Sequence, residues 1–411
     1  MSVTPIGIGV IGCGMISKTY LPNMAERFSI LKIVGVADLI EERAKEAAEK
    51  YNTVVMTNDE IYNCPDIQIV VNLTNVWSHY EVTKAALEHG KHVYCEKMMA
   101  ENFERAKELF DLANSKGLRI AMAPDTCLGG GYQTVRKLVD DGFIGKPFAV
   151  NATIVRSYLQ SRPAVGKNNV VMPGGTIPFD MGGYYIHAMQ TVFGSINRVS
   201  GFGTYLHKTY SHPANPKYGE DFVVEGAPNF IQAALEFNCG VFGTLTAGDY
   251  GVMEREPAGL YIYGTEGTLI CPDPNMFGGP IKLLTNTTDG YVEMPLTHGY
   301  HGHERTFGPP KVDPDWRTEM WKTSRRGVGV AELAWSIYND RPCRLSNEMG
   351  LHTIELIHGV MEGTETGKYY TMTTHPKRMA ALRSGFTGAD AEAVFDDHFG
   401  YDFDAEPKWK W

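Results

Sequence analysis

The sequence predicts two domains, an α/β domain with a parallel sheet followed by an α+β domain with a large, mostly antiparallel open sheet. In the first 124 residues, short buried apolar runs alternate with helical patterns, which is typical of βαβ units. From Pro147 onward, longer β-type runs are joined by hairpin-like loops at residues 238–240 and 286–290. The length of 411 residues also exceeds the size at which one hydrophobic core keeps growing. We therefore expect domains at residues 1–124 and 125–411.

The composition indicates a cytoplasmic protein that binds a small molecule. A formal net charge of −10 argues against nucleic acid or an anionic membrane surface as a partner, because both attract clustered Lys and Arg. The 7 cysteines are odd in number and never spaced as C-x-x-C, which argues for a reducing compartment and against a disulfide framework or structural zinc. The N-terminus lacks the pattern of a signal peptide, and no apolar stretch approaches the roughly 18 residues of a membrane-spanning helix.

A glycine turn near the N-terminus predicts a phosphate-binding site. The apolar run at residues 6–11 reads as a buried strand, and it breaks into Gly12-Cys13-Gly14-Met15-Ile16-Ser17 before a predicted helix at residues 17–28. Gly12 and Gly14 let the backbone approach a pyrophosphate, while the N–H groups that begin the helix, around Met15 and Ile16, point at that anion. Ser17 replaces the third glycine of such turns and is small. The pattern indicates a Rossmann dinucleotide-binding domain, and a plain strand-to-helix turn is the alternative.

The second predicted strand, residues 31–37, ends on Asp38. An acidic side chain at this place accepts hydrogen bonds from the adenosine ribose in NAD-binding domains. No Arg follows Asp38 directly, so a 2′-phosphate would have no obvious partner, and NAD is predicted in preference to NADP. The alternative is that Asp38 only caps the next helix, predicted at residues 41–51.

Two further strand ends bring polar side chains to the same edge of the sheet. The fourth predicted strand, residues 67–73, opens onto Thr74, Asn75 and His79, and loops at the carboxyl ends of parallel strands line the ligand crevice. These three residues are therefore candidates for the nicotinamide side, although His79 is equally compatible with an ordinary first-turn helix residue. The fifth strand ends on the charged pair Glu96-Lys97, and a sixth strand, residues 118–123, completes the domain.

Taken in order, the glycine turn, the terminal Asp38, the Thr74-Asn75 loop and the segment Gly-Lys-His-Val-Tyr-Cys-Glu-Lys at residues 90–97 resemble the Gfo/Idh/MocA oxidoreductases. The resemblance covers nearly the whole chain and implies that Glu96 contacts the nicotinamide ribose and that Lys97 meets the reacting hydroxyl. A lysine beside the cofactor can lower the pKa of an alcohol and relay its proton. The family usually has Pro next, whereas this chain has Met98. The resemblance also implies a homo-oligomer, because one face of the second sheet commonly pairs subunits while the other covers the cofactor crevice.

A glycine-rich segment of the second domain carries more candidate catalytic residues. Pro178 lies near a predicted helix start, and Asp180, Tyr184 and His187 follow at spacings that put them on one helical face. A carboxylate, a phenol and an imidazole could form an acid/base site there with Lys97. The resembled family has His four residues after the Asp, but this chain has Tyr184 at that place, so Tyr184 and His187 are alternative proton acceptors. Both could instead be buried packing residues.

Two other segments are candidates for substrate contacts. Asp125 lies where the resembled family often has Asn-Arg-Arg and is positioned to reach the crevice. The long loop at residues 308–326 contains Trp316 and Trp321, whose rings suit the apolar face of a sugar or an aglycone. The tract His-Gly-His-Glu at residues 301–304 lacks a third ligand at a recognised spacing, so no metal is predicted. Residues 375–411 are predicted to form an ordered C-terminal arm, because disordered tails are poor in aromatic residues.

These observations predict an NAD-dependent oxidoreductase that takes hydride from a secondary hydroxyl of a sugar, glycoside or cyclitol and gives a keto-sugar. One alternative is an NAD-assisted glycosidase or lyase that acts through a transient keto-sugar. Another is a non-catalytic nucleotide-binding sensor, against which Lys97 and Asp180 argue.

Overall fold

The fold is that of a computed structural model. It describes residues 3–155, 174–206, 208–210, 222–223, 228–249, 259–298, 326–385, 407 and 409–411. Trp316, Trp321, the tract at residues 301–304 and much of the predicted C-terminal arm lie outside the described residues.

The first half of the chain forms a parallel sheet. Its strands are β1 (Ile6–Ile11), β2 (Leu31–Ala37), β3 (Val54–Val55), β4 (Ile69–Asn72), β5 (His92–Cys95) and β6 (Ile120–Met122). The helices between them are α1 (Ser17–Glu26), α2 (Glu41–Lys50), α3 (Asn58–Asn63), α4 (Val76–Glu88) and α5 (Phe103–Ser115). Among the described residues the order is β3-β2-β1-β4-β5-β6 and every neighbouring pair is parallel. The predicted parallel sheet is therefore confirmed. The strand order reverses between β1 and β4, and such folds bind ligands at this point.

The second half is built on a larger, mixed sheet. The strands of this half are β7 (Pro147–Val155), β8 (Ile196–Thr204), β9 (Thr209–Tyr210), β10 (Phe222–Val223), β11 (Phe230–Phe237), β12 (Phe242–Gly248), β13 (Gly259–Gly264), β14 (Gly267–Ile270), β15 (Ile281–Thr285), β16 (Val292–Met294) and β17 (Tyr370–Thr371). Its helices are α6 (Gly130–Asp140), α7 (Ile177–Asp180), α8 (Gly182–Phe193), α9 (Val328–Tyr338) and α10 (Asn347–Thr366), with a 3-10 turn at Thr126–Leu128. In the described part of the chain, nine strands are ordered β16-β15-β14-β13-β7-β12-β11-β8-β17, while β9 pairs with β10.

The predicted, mostly antiparallel sheet is confirmed. Within the described residues only β7 and β12 run parallel, and the other neighbours are antiparallel. The hairpin loops at residues 238–240 and 286–290 join β11 to β12 and β15 to β16, as predicted. Helix α6 was not predicted, because it begins in a glycine-rich segment. A Cβ at Gly129 would lie 2.5 Å from the carbonyl oxygen of Phe277, so glycine there allows a close approach of two backbones.

The second half of the chain also contributes to the packing of the first sheet. Val328 and Leu333 of α9 share a buried core with Ile8 of β1 and Tyr20 of α1. The boundary between residues 124 and 125 stays a prediction, and α9 returns to the first sheet although it lies in 125–411. At the chain end, Trp409 is buried. No helix in the described ranges is long and apolar enough to cross a membrane.

Candidate active site

The glycine turn lies at the carboxyl end of β1 and opens α1. Gly12 has a φ of 103°, and a Cβ there would lie 2.6 Å from the carbonyl carbon and oxygen of Leu73, so the position requires glycine. A Cβ on Gly14 would meet nothing within 4 Å, which leaves open space beside the backbone. Ile16, the N-cap residue of α1, makes no side-chain cap, and the first turn has no acidic residue. The start of α1 is therefore suited to an anion.

The other two residues of the turn differ in exposure. Ser17 is buried and its Oγ donates to the carbonyl oxygen of Gly14 at 2.7 Å, whereas the side chain of Met15 is 64% exposed. The small serine therefore stabilises the turn where the third glycine was expected.

Asp38 connects the end of β2 to the glycine turn. Its Oδ2 accepts from the backbone N–H of Cys13 at 2.7 Å, and its Oδ1 accepts from that of Ile40 at 2.8 Å. The N-cap of α2 is Ile40, so Asp38 does not cap that helix. The carboxylate keeps lone pairs for further donors, such as ribose hydroxyls. Burial and the charge of Asp38 raise the pKa of Cys13 to about 12, so the thiol stays protonated.

The loop after β4 is fixed by short contacts. Thr74 Oγ1 donates to Asn72 Oδ1 at 2.6 Å, whereas Asn75 is exposed and makes no side-chain cap at the start of α4. His79 lies buried in the first turn of α4, with Nδ1 2.7 Å from the carbonyl oxygen of Met98 and Nε2 3.0 Å from that of Thr74. Burial lowers the pKa of His79, so we assign a neutral ring that donates through Nδ1. His79 thus fits the first-turn alternative, and it links this loop to the segment after β5.

Lys97 follows β5 and meets residues of the second half of the chain. Its Nζ pairs with Asp180 Oδ1 and lies 5.4 Å from the centroid of the Tyr184 ring. Asp180 Oδ2 is buried and has no hydrogen-bond partner among the residues that the structure describes. The side chains of Lys97 and Asp180 are only 12% and 20% exposed, so the pair is largely shielded from water. The Lys97–Met98 peptide bond is cis. The structure thus brings together an ammonium, a carboxylate and a phenol.

One part of the predicted geometry is wrong, because Asp180, Tyr184 and His187 do not lie on one helix. Asp180 ends the short helix α7, and α8 begins at Gly182. Low helix propensity at the Gly182-Gly183 pair explains why a continuous helix is not favoured there. Tyr184 and His187 still share a face of α8, since they are three residues apart.

His187 is buried in α8. Its Nδ1 lies 3.3 Å from the carbonyl oxygen of Pro124, and because a carbonyl only accepts, Nδ1 carries the hydrogen. Its Nε2 is buried without a hydrogen-bond partner in the described part of the chain. Burial lowers the pKa of His187 to about 4, so the ring is neutral near pH 7 and is a weak base.

A buried cluster of three polar side chains next to Lys97 was not predicted from the sequence. Its members are Tyr20, Tyr94 and Glu96. Tyr20 of α1 donates to Glu96 Oε1 at 2.6 Å, and its oxygen lies 3.1 Å from that of Tyr94. Glu96 Oε2 accepts from the backbone N–H of Lys97 at 3.2 Å. Burial raises the pKa of both tyrosines well above the usual value, so both stay neutral: Tyr20 donates to the carboxylate, and Tyr94 donates to the oxygen of Tyr20. No local spacing in the sequence identifies these tyrosines.

Asp125 follows β6 and is fully buried against the start of α9. Its Oδ2 accepts from the backbone N–H groups of Gly327 and Gly329 at 2.9 and 3.1 Å. Burial raises the pKa of this carboxyl to about 6. Arg326, in the same segment, was also missed by the sequence reasoning, and its Nη2 donates to the phenol oxygen of Tyr184 at 2.6 Å. Asp125 therefore anchors the segment that carries Arg326, and its substrate contact stays a prediction.

Comparison with known proteins assigns both halves of the chain. Residues 6–123 match the family model of an oxidoreductase family with an NAD-binding Rossmann fold, and residues 132–270 match that of the GFO/IDH/MocA C-terminal domain. The chain belongs to the Gfo/Idh/MocA oxidoreductase family. Its first half is therefore an NAD-binding Rossmann domain, as its motifs predicted.

Named relatives of this oxidoreductase include dehydrogenases of cyclitols. Inositol 2-dehydrogenase/D-chiro-inositol 3-dehydrogenase of Lactiplantibacillus plantarum is 27% identical over 166 residues, which are 38% of this chain and 45% of that protein. An uncharacterized oxidoreductase of Schizosaccharomyces pombe is 31% identical over 206 residues, 48% of this chain and 54% of that protein. The chain spans about half the length of these curated relatives.

Solved structures of the same fold include complexes with the cofactor. Levoglucosan dehydrogenase with NADH and L-sorbose has a TM-score of 0.73 at 17% identity, over 89% of this chain and 98% of that chain. An oxidoreductase from Agrobacterium radiobacter with NAD+, L-tartaric acid and magnesium has a TM-score of 0.68 at 15% identity, over 90% and 98%. At these identities the likeness shows the fold alone.

The residues present fit NAD. The open space at Gly14 and the uncapped start of α1 suit a pyrophosphate, and the Asp38 carboxylate can accept from ribose hydroxyls. The unpartnered, buried Asp180 Oδ2 gives an acceptor for a bound ligand at the end of β5.

Proposed function

We propose that this oxidoreductase is an NAD-dependent dehydrogenase that oxidises a secondary hydroxyl of a sugar, glycoside or cyclitol to a ketone. One observation carries the proposal: Lys97, at the carboxyl end of β5, pairs with Asp180 and lies over the ring of Tyr184. This is the edge of the sheet at which dinucleotide-binding domains hold their ligands. The names of the relatives, an inositol dehydrogenase and a levoglucosan dehydrogenase, support a cyclitol or a sugar as substrate.

In the proposed reaction, Lys97 binds the substrate hydroxyl and stabilises the negative charge that develops on its oxygen. Bound NAD supplies the acceptor for the hydride of the carbinol carbon. The hydroxyl proton passes to the oxygen of deprotonated Tyr184, and Asp180 holds the ammonium of Lys97 in place. The low exposure of Lys97 and Asp180 limits the access of water to the reacting carbon.

Tyr184 rather than His187 is proposed as the proton acceptor, and substitution of each should separate them. Tyr184→Phe should lower kcat by about 10²-fold, because it removes the phenol oxygen from a ring that lies beside the cations of Lys97 and Arg326. His187→Ala should lower kcat by less than about tenfold, because burial lowers the pKa of His187 to about 4. The measurement is kcat across a pH range for both variants. A larger loss in His187→Ala, with its folding intact, would reverse the assignment.

A screen of NADH formation over sugars, cyclitols and glycosides tests the proposed function directly. One NADH released for each ketone formed is the expected result. Glycoside cleavage without net NADH would indicate the NAD-assisted glycosidase or lyase instead. Failure to reduce NAD with every compound, in protein that binds NAD, would favour the sensor and contradict the proposal.

The cofactor preference is expected to depend on Asp38. The parent should bind NAD more tightly than NADP, because a 2′-phosphate beside this carboxylate meets like charge. The double variant Asp38→Ala with Leu39→Arg should bring the affinities for NAD and NADP closer together. Leu39 is 100% exposed, so an arginine there can extend toward a 2′-phosphate. Titrations of both nucleotides measure this, with Leu39→Arg alone as the control. Tighter binding of NADP by the parent would contradict the assignment.

The remaining candidate contacts complete the proposed site. We assign the pyrophosphate and nicotinamide contacts to Gly12, Gly14, Met15, Ile16, Thr74, Asn75, His79 and Glu96, and sugar contacts to Asp125, Trp316 and Trp321. A homo-oligomer is proposed through the outer face of the large sheet. Phe202, Phe242 and Tyr261 lie on one face there and are 75%, 60% and 42% exposed, so the face has apolar surface to bury.

A further inference from the structure

Arg326 lies at a junction of both halves of the chain. Its backbone oxygen accepts from Asn23 Nδ2 of α1 at 2.9 Å, and its Nη2 donates to Asn275 Oδ1, between β14 and β15, at 3.2 Å. The same Nη2 donates to the phenol oxygen of Tyr184 in α8 at 2.6 Å. Asp125, which follows β6 in the chain, accepts from the backbone N–H groups of Gly327 and Gly329 and so fixes the residues directly after Arg326. The guanidinium is therefore held through Nη2 by two acceptors, and the backbone around it is fixed by α1 and Asp125.

The charge of Arg326 is well supported despite its burial. Its Nη1 lies 4.0 Å from Glu96 Oε1 and 4.0 Å from Asp125 Oδ1. Although burial acts against the charged form, the neighbouring phenols and carboxylates raise the pKa of Arg326 well above its usual value. The side chain is thus a permanent cation that donates hydrogen bonds and cannot accept them.

This fixed donor determines what the phenol of Tyr184 can do. Because the guanidinium only donates, the oxygen of Tyr184 must accept from it, and the phenolic hydrogen needs another acceptor. Among the residues that the structure describes, none accepts a hydrogen bond from this phenol. The open bonding position of the phenol is therefore available to a ligand near Lys97, which lies over the same ring.

We propose that Arg326 is a positioning residue for Tyr184, holding its oxygen from one side so that its remaining bonding position meets the substrate hydroxyl. The proposal rests on the assignment of Tyr184 as proton acceptor. When the substrate O–H bond breaks, its proton goes to the Tyr184 oxygen and the electron pair of that bond forms the C=O bond, while the hydride leaves to NAD. The guanidinium stabilises the deprotonated phenol that must be present before this transfer.

The charged groups that face Tyr184 determine in which direction its pKa should change when Arg326 is replaced. Lys97 and Glu96 face it from the end of β5, Asp180 from α7, and Arg326 from the start of α9. Burial raises the pKa of Tyr184, and the positive charges of Arg326 and Lys97 oppose that rise. Removing the charge of Arg326 should therefore raise the pKa of the phenol further.

The test compares Arg326→Met with the parent by tyrosinate absorbance, taking Tyr184→Phe as the blank for the other tyrosines. We expect the pKa of Tyr184 to rise by about one unit or more, and the limb of the kcat profile that reports Tyr184 to move to higher pH by the same amount. Tyr94→Phe is the matched control, because it removes a buried hydroxyl near Glu96 but leaves the bond between Arg326 and Tyr184 intact. In Tyr94→Phe, the limb of the kcat profile that reports Tyr184 should stay at the same pH as in the parent.

A double-mutant cycle shows whether Arg326 acts through Tyr184. Arg326→Met should lower kcat by about tenfold in the parent but by less than about twofold when Tyr184 is already Phe. Equal losses in both backgrounds, or an unmoved phenol titration in folded Arg326→Met, would overturn the proposal. If Arg326→Met does not fold, Arg326→Gln replaces it, because it also removes the charge, and a phenol titration unchanged in that folded variant overturns the proposal equally. The titration needs no substrate, so it is readable even if no sugar is oxidised.

Discussion

Lys97→Met is expected to lower hydride transfer by about 10²-fold or more while NAD binding stays near that of the parent. The ammonium pairs with Asp180 and lies over Tyr184, so its loss removes the group that stabilises the developing alkoxide. The proposed pyrophosphate and adenosine-ribose contacts lie at the ends of β1 and β2 instead. Single-turnover NADH formation measures the chemical step, and calorimetric titration measures NAD binding.

Lys91 provides a matched control at the opposite end of the same strand. It is also buried, and its Nζ donates to the carbonyl oxygens of Cys64 and Ile67 at 2.7 and 2.8 Å. Lys91→Met should lower stability through these lost bonds but leave the rate of hydride transfer within about twofold of the parent. Asp180→Asn together with Lys97→Met avoids leaving an unpaired carboxylate if the single variant unfolds. Oxidation of a confirmed substrate by Lys97→Met at the parental rate would show that the site assignment is wrong.

The sequence was most informative where an element is buried on both faces. Strands β1 and β2 have the bounds that their apolar runs predict, since parallel strands read as continuous apolar stretches. The bounds of strand β16 were not predicted, although the loop before it was, because the strand has three residues and little burial, which leaves no pattern to recognise. Helix α6 was missed because glycines at its start have low helix propensity, and contact with Phe277 decides that region instead.

The part of the site that lies at the ends of the parallel strands could be predicted from the order of the elements along the chain, and the rest could not. Lys97 and Asp38 follow buried strands, and strand ends of a parallel sheet share one edge, so their placement follows from the order of elements. The bond between Arg326 and Tyr184 joins residues 142 apart in the sequence, and no spacing rule relates them. The break between α7 and α8 was hidden for a related reason, because Asp180 and Tyr184 keep helical spacing in the sequence across two helices.

Gly12→Ala is expected to lower the stability of the protein strongly, whereas Gly14→Ala is expected to leave it almost unchanged. A Cβ at Gly12 would lie 2.6 Å from the backbone carbonyl of Leu73, and its φ of 103° is unfavourable for alanine. Strain and overpacking together should lower the free energy of unfolding by about 3 kcal/mol. A Cβ at Gly14 meets nothing within 4 Å, so the free energy of unfolding should change by less than about 0.5 kcal/mol.

NAD affinity separates the two glycines in a second way. At Gly14 the added methyl group enters the open space that we assign to the pyrophosphate, so the Kd for NAD should rise by about tenfold or more without loss of folded protein. Denaturant unfolding without NAD and titration with NAD measure the two effects independently. Because a Cβ at Gly14 meets no neighbour among the described residues, parental NAD affinity in Gly14→Ala would mean that the phosphates do not lie against this part of the turn. Parental stability in Gly12→Ala would likewise show that the end of β4 can move away from the turn.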